Sequence, residues 1–130
     1  MKSLSILLAL TFSVMFSSTS FADWKKVETN VDKNTFYVDY EGIRRHDGFV
    51  YFWWLVDLPE PTGQGYWSDK IYTQGDCDSF RFKYLSGSGH KEPMGGGTGD
   101  TYTNENPEWH YPPPNSPIET ILKSVCEYVN

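Results

Sequence analysis

The sequence is poor in cysteine, histidine and positive charge. Its 130 residues include 2 Cys, 3 His and 11 Lys plus Arg against 17 Asp plus Glu, for a formal net charge of −6. A chain of this length has room for one domain. A net negative chain is also a poor binder of nucleic acid, because phosphate binding is driven by basic surface. We therefore expect one domain that does not bind nucleic acid.

Long apolar runs are also lacking, apart from one at the N-terminus. Lys2 precedes a mostly apolar run over residues 4–16, and Ser20-Phe21-Ala22 fits a small-x-small cleavage site. The run is shorter than the ~20 residues of a membrane span, which argues against the alternative of a transmembrane anchor. We interpret residues 1–22 as a signal peptide and residues 23–130 as an exported domain, either periplasmic or secreted to the cell surface. No Cys lies directly after the apolar run, so no lipid anchor on Cys is expected.

The scarcity of cysteine leaves few ways to pair it. Cys77 and Cys126 are the one pair available, and export places them in an oxidising compartment. We therefore expect a disulfide, which the chain-entropy model values at ~4 kcal/mol for a ring of roughly 50 residues. The alternatives are a redox pair or metal thiolates, but the sequence has no Cys-x-x-Cys motif.

Aromatic residues, in contrast, make up 17% of the chain, alongside 11 Gly and 8 Pro. This mixture favours short strands joined by turns, and hydrophobic patterns predict strands at residues 24–28, 35–40, 49–58, 66–74 and 80–85. Residues 49–58 are apolar on both faces, so this strand should be central and covered on both sides. The short connections predict antiparallel neighbours. Glycine and proline break the pattern over residues 87–114, which are predicted to be one long irregular segment.

A helix is predicted at the C-terminus. Ser116 suits the N-cap, Pro117 suits the first helical position, and Glu119 completes a capping box. An apolar stripe follows at Ile118, Ile121, Leu122, Val125, Cys126 and Val129. The predicted fold is therefore α+β, an antiparallel sheet of about five or six strands with one C-terminal helix packed on it and joined to it by the disulfide.

Patterns that carry catalysis or bind metal are weak. His46, His90 and His110 have no His-x-x-x-His spacing. Ser86 and Ser88 lie near His90, but they are not part of a Gly-x-Ser-x-Gly nucleophile motif. We therefore expect a protein that is not an enzyme and that has no metal site or cofactor.

The aromatic residues exceed what one helix can cover. The second apolar face of the central strand needs another cover, which can be the long segment, a second protomer or a ligand. Trp and Tyr commonly anchor contacts between proteins, so part of the surplus predicts an interaction surface. The candidate partner-binding residues are Trp109, Tyr111, Tyr102, His90 and Trp53.

Motifs spread along residues 23–130 resemble the surface-adhesin protein E family of Gram-negative exported proteins. They are Trp24, Phe36-Tyr37-Val38-Asp39, Trp54-Leu55-Val56-Asp57, Ser68-Asp69-Lys70, Asp76-Cys77, Leu85-Ser86, Met94-Gly95-Gly96-Gly97, Trp109, Pro113-Pro114-Asn115-Ser116 and Leu122-Lys123-Ser124-Val125-Cys126. Their order and spacing carry the resemblance.

The resemblance implies an antiparallel sheet with a C-terminal helix and a disulfide between Cys77 and Cys126. It also implies adhesin-type binding to host extracellular matrix or serum proteins, and an ability to form a homodimer. Two other functions stay open at this point. One is a periplasmic binder of haem or a metal through His90, His110 or tyrosines, and the other is a structural partner in the cell envelope.

Overall fold

The computed structural model describes residues 22–130. The predicted signal peptide therefore lies outside the described residues, apart from its last position. The predicted fold class is confirmed, since one antiparallel sheet carries a single C-terminal helix. The sheet has seven strands, namely β1 Trp24–Thr29, β2 Thr35–Asp39, β3 Arg44–His46, β4 Phe49–Asp57, β5 Ser68–Asp76, β6 Arg81–His90 and β7 Gly99–Thr103. The helix is α1, Pro117–Val129.

The strand order is β1-β2-β4-β5-β6-β7, and β3 is a further partner of β4. β2 and β3 follow one another along β4, because Val38 lies opposite Trp54 whereas Arg44 lies opposite Tyr51. The predicted central strand therefore has neighbours along its length. It pairs with β5 from Val50 to Asp57.

The expectation of one irregular segment over residues 87–114 is wrong in its first half. β6 continues to His90, and β7 pairs with it before the chain becomes irregular after Thr103. A Cβ added to Gly87 would lie 2.3 Å from the Tyr102 hydroxyl, and one added to Gly89 would lie 3.0 Å from the Tyr66 ring. These glycines are strand positions crossed by tyrosine side chains, which is a known use of glycine in sheets.

The core lies between α1 and one face of the sheet. β4 turns Val50, Phe52 and Trp54 toward the helix, and all three are buried. The helix contributes its predicted stripe, of which the buried members are Ile118, Ile121, Leu122, Val125 and Cys126. Gly75 leaves room for the helix, since a Cβ there would lie 2.9 Å from Leu122 Cδ1.

The start of α1 follows the predicted capping pattern with one difference. The Ser116 hydroxyl accepts a hydrogen bond from the Glu119 amide at 3.3 Å. The Glu119 carboxylate accepts from the amide of Asn115, the residue before the cap, at 3.0 Å. Both ends of the box are therefore satisfied, but the glutamate reaches one residue further back than in the standard arrangement.

The predicted disulfide between Cys77 and Cys126 is present. The two Cα atoms are 5.7 Å apart and the residues are 49 positions apart in the chain. Cys77 directly follows β5, and Cys126 is in the last turns of α1. The bond therefore joins the helix to the end of a central strand.

Replacing both cysteines by alanine should lower the free energy of unfolding by about 4 kcal/mol, because the unfolded chain loses its cross-link. Urea denaturation at neutral pH measures this change. Ser116→Ala serves as a smaller reference, with an expected loss of about 1 kcal/mol from the missing cap. An unchanged midpoint in the double variant would contradict the importance assigned to this bond.

Candidate functional site

The face of the sheet away from α1 carries the second apolar row of β4. We call this surface the open face. Its β4 residues are Phe49, Tyr51, Trp53 and Leu55, which alternate with the residues under the helix. Other segments of the chain lie over the two ends of this row, and its middle stays partly exposed.

A short turn covers the Leu55 end. It is a 3₁₀ turn at Pro93–Gly95, and a Cβ added to Gly95 would lie 3.2 Å from Leu55 Cδ1. The Met94 amide donates to Asp57 at 2.8 Å, and the Gly95 amide donates to the Ser68 hydroxyl at 2.8 Å. These bonds fix the turn on the sheet, and Leu55 is fully buried.

Trp109 covers the Phe49 end. The two ring centroids are 5.3 Å apart. The next residue, His110, exchanges backbone hydrogen bonds with Phe82 of β6 at 2.8 and 2.9 Å, which holds the segment against the sheet. The cations of Arg81 and Lys83 lie 4.3 and 4.6 Å from the Trp109 ring centroid. A cation over an aromatic face is attracted by the ring quadrupole, so these contacts favour the observed position of the indole.

Asp76 holds Arg81 in place. Its carboxylate accepts from Arg81 Nε at 3.0 Å and from the amides of Asp78 and Ser79 at 3.2 Å each. Burial raises the pKa of the Asp76 carboxyl, but the bonds from Arg81 and the two amides outweigh burial, so the pKa is lowered overall. The ionised carboxylate thus belongs to the folded state and indirectly positions Trp109.

Three partly exposed aromatic side chains form the uncovered middle of the open face. We call Tyr51, Trp53 and Tyr72 the aromatic strip. The Tyr72 ring centroid is 4.9 Å from that of Trp53 and 6.3 Å from that of Tyr51. Burial among these rings raises the pKa of the Tyr72 hydroxyl, although nearby Arg44 acts in the opposite direction. The strip is therefore a packed apolar surface with a cation beside it.

The charged groups on the open face differ in what they contact. Its acids make internal hydrogen bonds, since Asp39 accepts from the Gly42 amide, and Asp57 and Asp76 are bonded as described above. Register places four basic residues on the same face, namely Lys26, Arg44, Lys70 and Lys83. None of these four takes part in the ion pairs recorded for residues 22–130. Together with Arg81, these basic residues outnumber the three acids of the face, so the net charge around the strip is positive.

The five predicted partner-binding residues do not form one site. Trp53 is in the aromatic strip and Trp109 is at one end of it, whereas Tyr102 lies on the helix side of the sheet, opposite Gly87. Tyr111 is exposed at 68% of its surface. His90 is buried, and its Nε2 is 2.7 Å from the Ser88 hydroxyl.

Sequence reasoning did not select Tyr51, Tyr72, Arg44 or Lys70. Alternation is the signal for both tyrosines. Tyr51 is two residues before Trp53 on β4, and Tyr72 lies across from Trp53 on β5, so all three share a face. Tyr72 lies directly opposite Trp53 in the β4–β5 pair. Arg44 gave no signal, since it belongs to a three-residue strand whose side chains are all exposed.

Within residues 22–130, no group of three or more Cys, His, Asp or Glu side chains is arranged to hold a metal ion. His90 ends β6, whereas His110 pairs with Phe82 near the start of that strand. Eight residues of strand separate these positions by about 26 Å. The structure therefore does not bring together the two histidines considered for a haem or metal site. No helix in the described part of the chain is long and apolar enough to cross a membrane.

A sheet whose second face keeps a partly exposed aromatic strip is typical of a domain that binds a partner. Comparison with protein families agrees with this class. The model of the surface-adhesin protein E family matches residues 24–127, so the chain belongs to that family. Among curated proteins, none matches this chain.

Solved structures of Haemophilus influenzae protein E have the same fold. One crystal form has a TM-score of 0.65 at 18% identity, with 86% of this chain and 94% of that chain covered. A second structure has a TM-score of 0.63 at 16% identity, with 84% and 87% covered. At these identities the likeness concerns the fold.

Asp76→Asn should lower the free energy of unfolding by about 2 kcal/mol at pH 7, because a charged acceptor of three hydrogen bonds is lost. The folded-state pKa of Asp76 is lowered. Its contribution is therefore present above the unfolded pKa of about 3.9 and disappears as the pH falls through the folded value. Urea denaturation from pH 7 to pH 3 should show the wild type and the variant converging below about pH 4.

Asp78→Asn is the matched control, since Asp78 is an exposed neighbour with the same charge. A gap between wild type and Asp76→Asn that stays constant down to pH 3 would contradict the assignment of an ionised Asp76 to the folded state.

Proposed function

We propose that this protein is a non-catalytic, exported adhesin that binds an acidic segment of a host extracellular matrix or serum protein through the aromatic strip. One observation carries the proposal: Tyr51, Trp53 and Tyr72 stay partly exposed on the open face, between the ends that the turn at Pro93–Gly95 and Trp109 contact. Membership of the surface-adhesin family supports it, because adhesion requires a surface that takes a partner. The predicted signal peptide at 1–22 supplies the route out of the cytoplasm.

The chemistry of the strip suits a protein partner. Trp and Tyr bury large areas at low cost in conformational entropy, and they are the residues most often found where binding energy concentrates. Tyr72 contacts both other rings of the strip, and the Trp53 ring is the nearer of the two. A partner that covers this pair gains apolar burial, while the two ends of the row are already closed by the protein itself.

The preference for an acidic segment follows from the charges around the strip. Arg44 lies beside Tyr51, and Lys70 lies beside Tyr72 along β5. The basic residues of the open face outnumber its acids. A partner with carboxylates at the rim would therefore meet complementary charge, which mainly raises the association rate and the specificity.

A second copy of this chain is a less suitable cover for the strip. In a two-fold symmetric dimer the same patch meets itself, so the net positive charge around one strip would face that of the other. Like charges brought together at an interface cost several kcal/mol. We therefore assign the strip to a different protein, and the homodimer that the family resemblance implies is expected to use another surface.

Trp53→Ala should weaken binding of the mature protein, residues 23–130, to its partner by about 30-fold, because an aromatic anchor at an interface is worth about 2 kcal/mol. Biolayer interferometry on a panel of immobilised matrix and serum proteins measures the change. Tyr128→Ala is the matched control, since Tyr128 is 57% exposed on the helix and should leave affinity unchanged. Circular dichroism checks that both variants are folded.

The charge preference has its own readout in the same assay. Combined Arg44→Ala and Lys70→Ala should slow association and reduce its dependence on salt, because both cations lie at the rim of the strip. Failure of the whole panel to bind, or equal loss with Trp53→Ala and Tyr128→Ala, would contradict the proposal.

A further inference from the structure

A groove on the helix side of the sheet has a chemistry opposite to that of the open face. It consists of two adjoining hollows of about 530 and 510 Å³, which share Val56, Asp69 and Tyr102. Each is within the size range of sites for small groups and side chains. Apolar and aromatic side chains make most of the first hollow, namely Phe36, Trp54, Val56, Ile71, Tyr84 and Tyr102.

Asp69 lies where the two hollows meet, and its charge is poorly compensated. The Oδ1 atom is buried and has no hydrogen-bond partner among residues 22–130. Burial raises the pKa of this carboxyl, while the Tyr102 hydroxyl beside it acts in the opposite direction. A carboxylate in apolar surroundings without a counter-charge is unfavourable, and a cation placed next to it relieves that cost.

The other charged groups near the groove leave Asp69 without a cation. Asp100 lines the second hollow, and its carboxylate accepts a hydrogen bond from the Tyr66 hydroxyl. Lys91 is close by, but its ammonium lies over the Tyr66 ring, 4.2 Å from the centroid, and donates to the Gln64 carbonyl at 2.7 Å. No basic residue is among those lining either hollow in the described part of the chain. The groove is therefore apolar with negative charge at its centre and at one end.

These features select the kind of group that fits. An anion would be repelled by Asp69 and Asp100. A wholly apolar group would remove the remaining water from Asp69 and leave its charge uncompensated. A side chain with an aliphatic stem and a cationic head satisfies both requirements, since its stem can pack on Trp54 and Tyr84 while its head reaches the carboxylate.

We propose that this groove is a second binding site, which accepts an arginine or lysine side chain from a partner protein with the cation at Asp69. The site is on the opposite side of the sheet from the aromatic strip and does not depend on it. Tyr102 lies across Gly87 on the exposed edge strand β7, so this ring forms one wall of the entrance. The two faces would thus recognise groups of opposite charge.

The test is an NMR titration of ¹⁵N-labelled mature protein with the blocked peptide Ac-Leu-Arg-Leu-NH₂. A second peptide carries citrulline in place of arginine, which keeps the shape and removes the charge. The arginine peptide should shift the amide signals of residues lining the groove. The citrulline peptide should bind at least about tenfold more weakly, because a hydrogen bond between charged groups is lost.

Asp69→Asn should weaken the arginine peptide by a similar factor, while Asp32→Asn, the same charge change in an exposed turn, should leave it unchanged. The spectrum of each variant verifies its fold, and Tyr84→Ala provides a second variant that removes a wall of the groove without touching the charge. Absence of groove shifts with the arginine peptide would overturn the proposal. So would equal binding of the citrulline peptide, or full retention of affinity in Asp69→Asn.

Discussion

The structure depends on one constraint, which is that β4 is apolar on both faces and the chain has a single helix to cover it. The helix packs on Val50, Phe52 and Trp54, and the disulfide between Cys77 and Cys126 ties it to the sheet. The second row then has to be covered by other means. The protein closes the two ends of that row with the turn at Pro93–Gly95 and with Trp109, and the middle remains as the aromatic strip.

The two covers show how a small domain limits the apolar surface that it exposes. Leu55 is buried under the backbone of Gly95, which comes so close that a Cβ there would lie 3.2 Å from Leu55 Cδ1. Phe49 is partly covered by an indole that two cations and a neighbouring carboxylate hold in place. Both ends are held by specific hydrogen bonds and aromatic contacts, so the partial exposure of Trp53 and Tyr72 is not a by-product of loose packing. This difference between sealed ends and an open middle supports the proposal of a partner surface.

The sequence predicted those parts of the fold that strong hydrophobic periodicity or helix-capping residues determine. The helix, its cap and the two-faced strand could all be recognised, since each has a pattern that spans several residues. β3 and β7 could not, because their side chains are exposed and no core face selects a pattern. Gly87 and Gly89 were interpreted as loop signals, but their small size serves the tyrosine side chains that cross β5 and β6.

The candidate site was predictable only in part, for a related reason. Alternation indicates which side chains share a face, but it does not tell which of the two rows of β4 the helix covers. It does not indicate which side chains another segment then covers, so the strip could not be separated from Leu55 and Phe49. The groove around Asp69 was also beyond sequence reasoning, because its walls come from β2, β4, β5, β6 and β7.

Hydroxyl-radical footprinting of the mature protein, alone and bound to its partner, tests the central claim most directly, since it reports the accessibility of individual aromatic side chains. We expect Trp53 and Tyr72 to be oxidised in the free protein and protected in the complex, with Tyr128 on the helix oxidised equally in both. Protection of Trp53 and Tyr72 in the free monomer would contradict the claim that the strip is uncovered. Protection in the complex that falls on the helix alone would contradict the assignment of the partner to the open face.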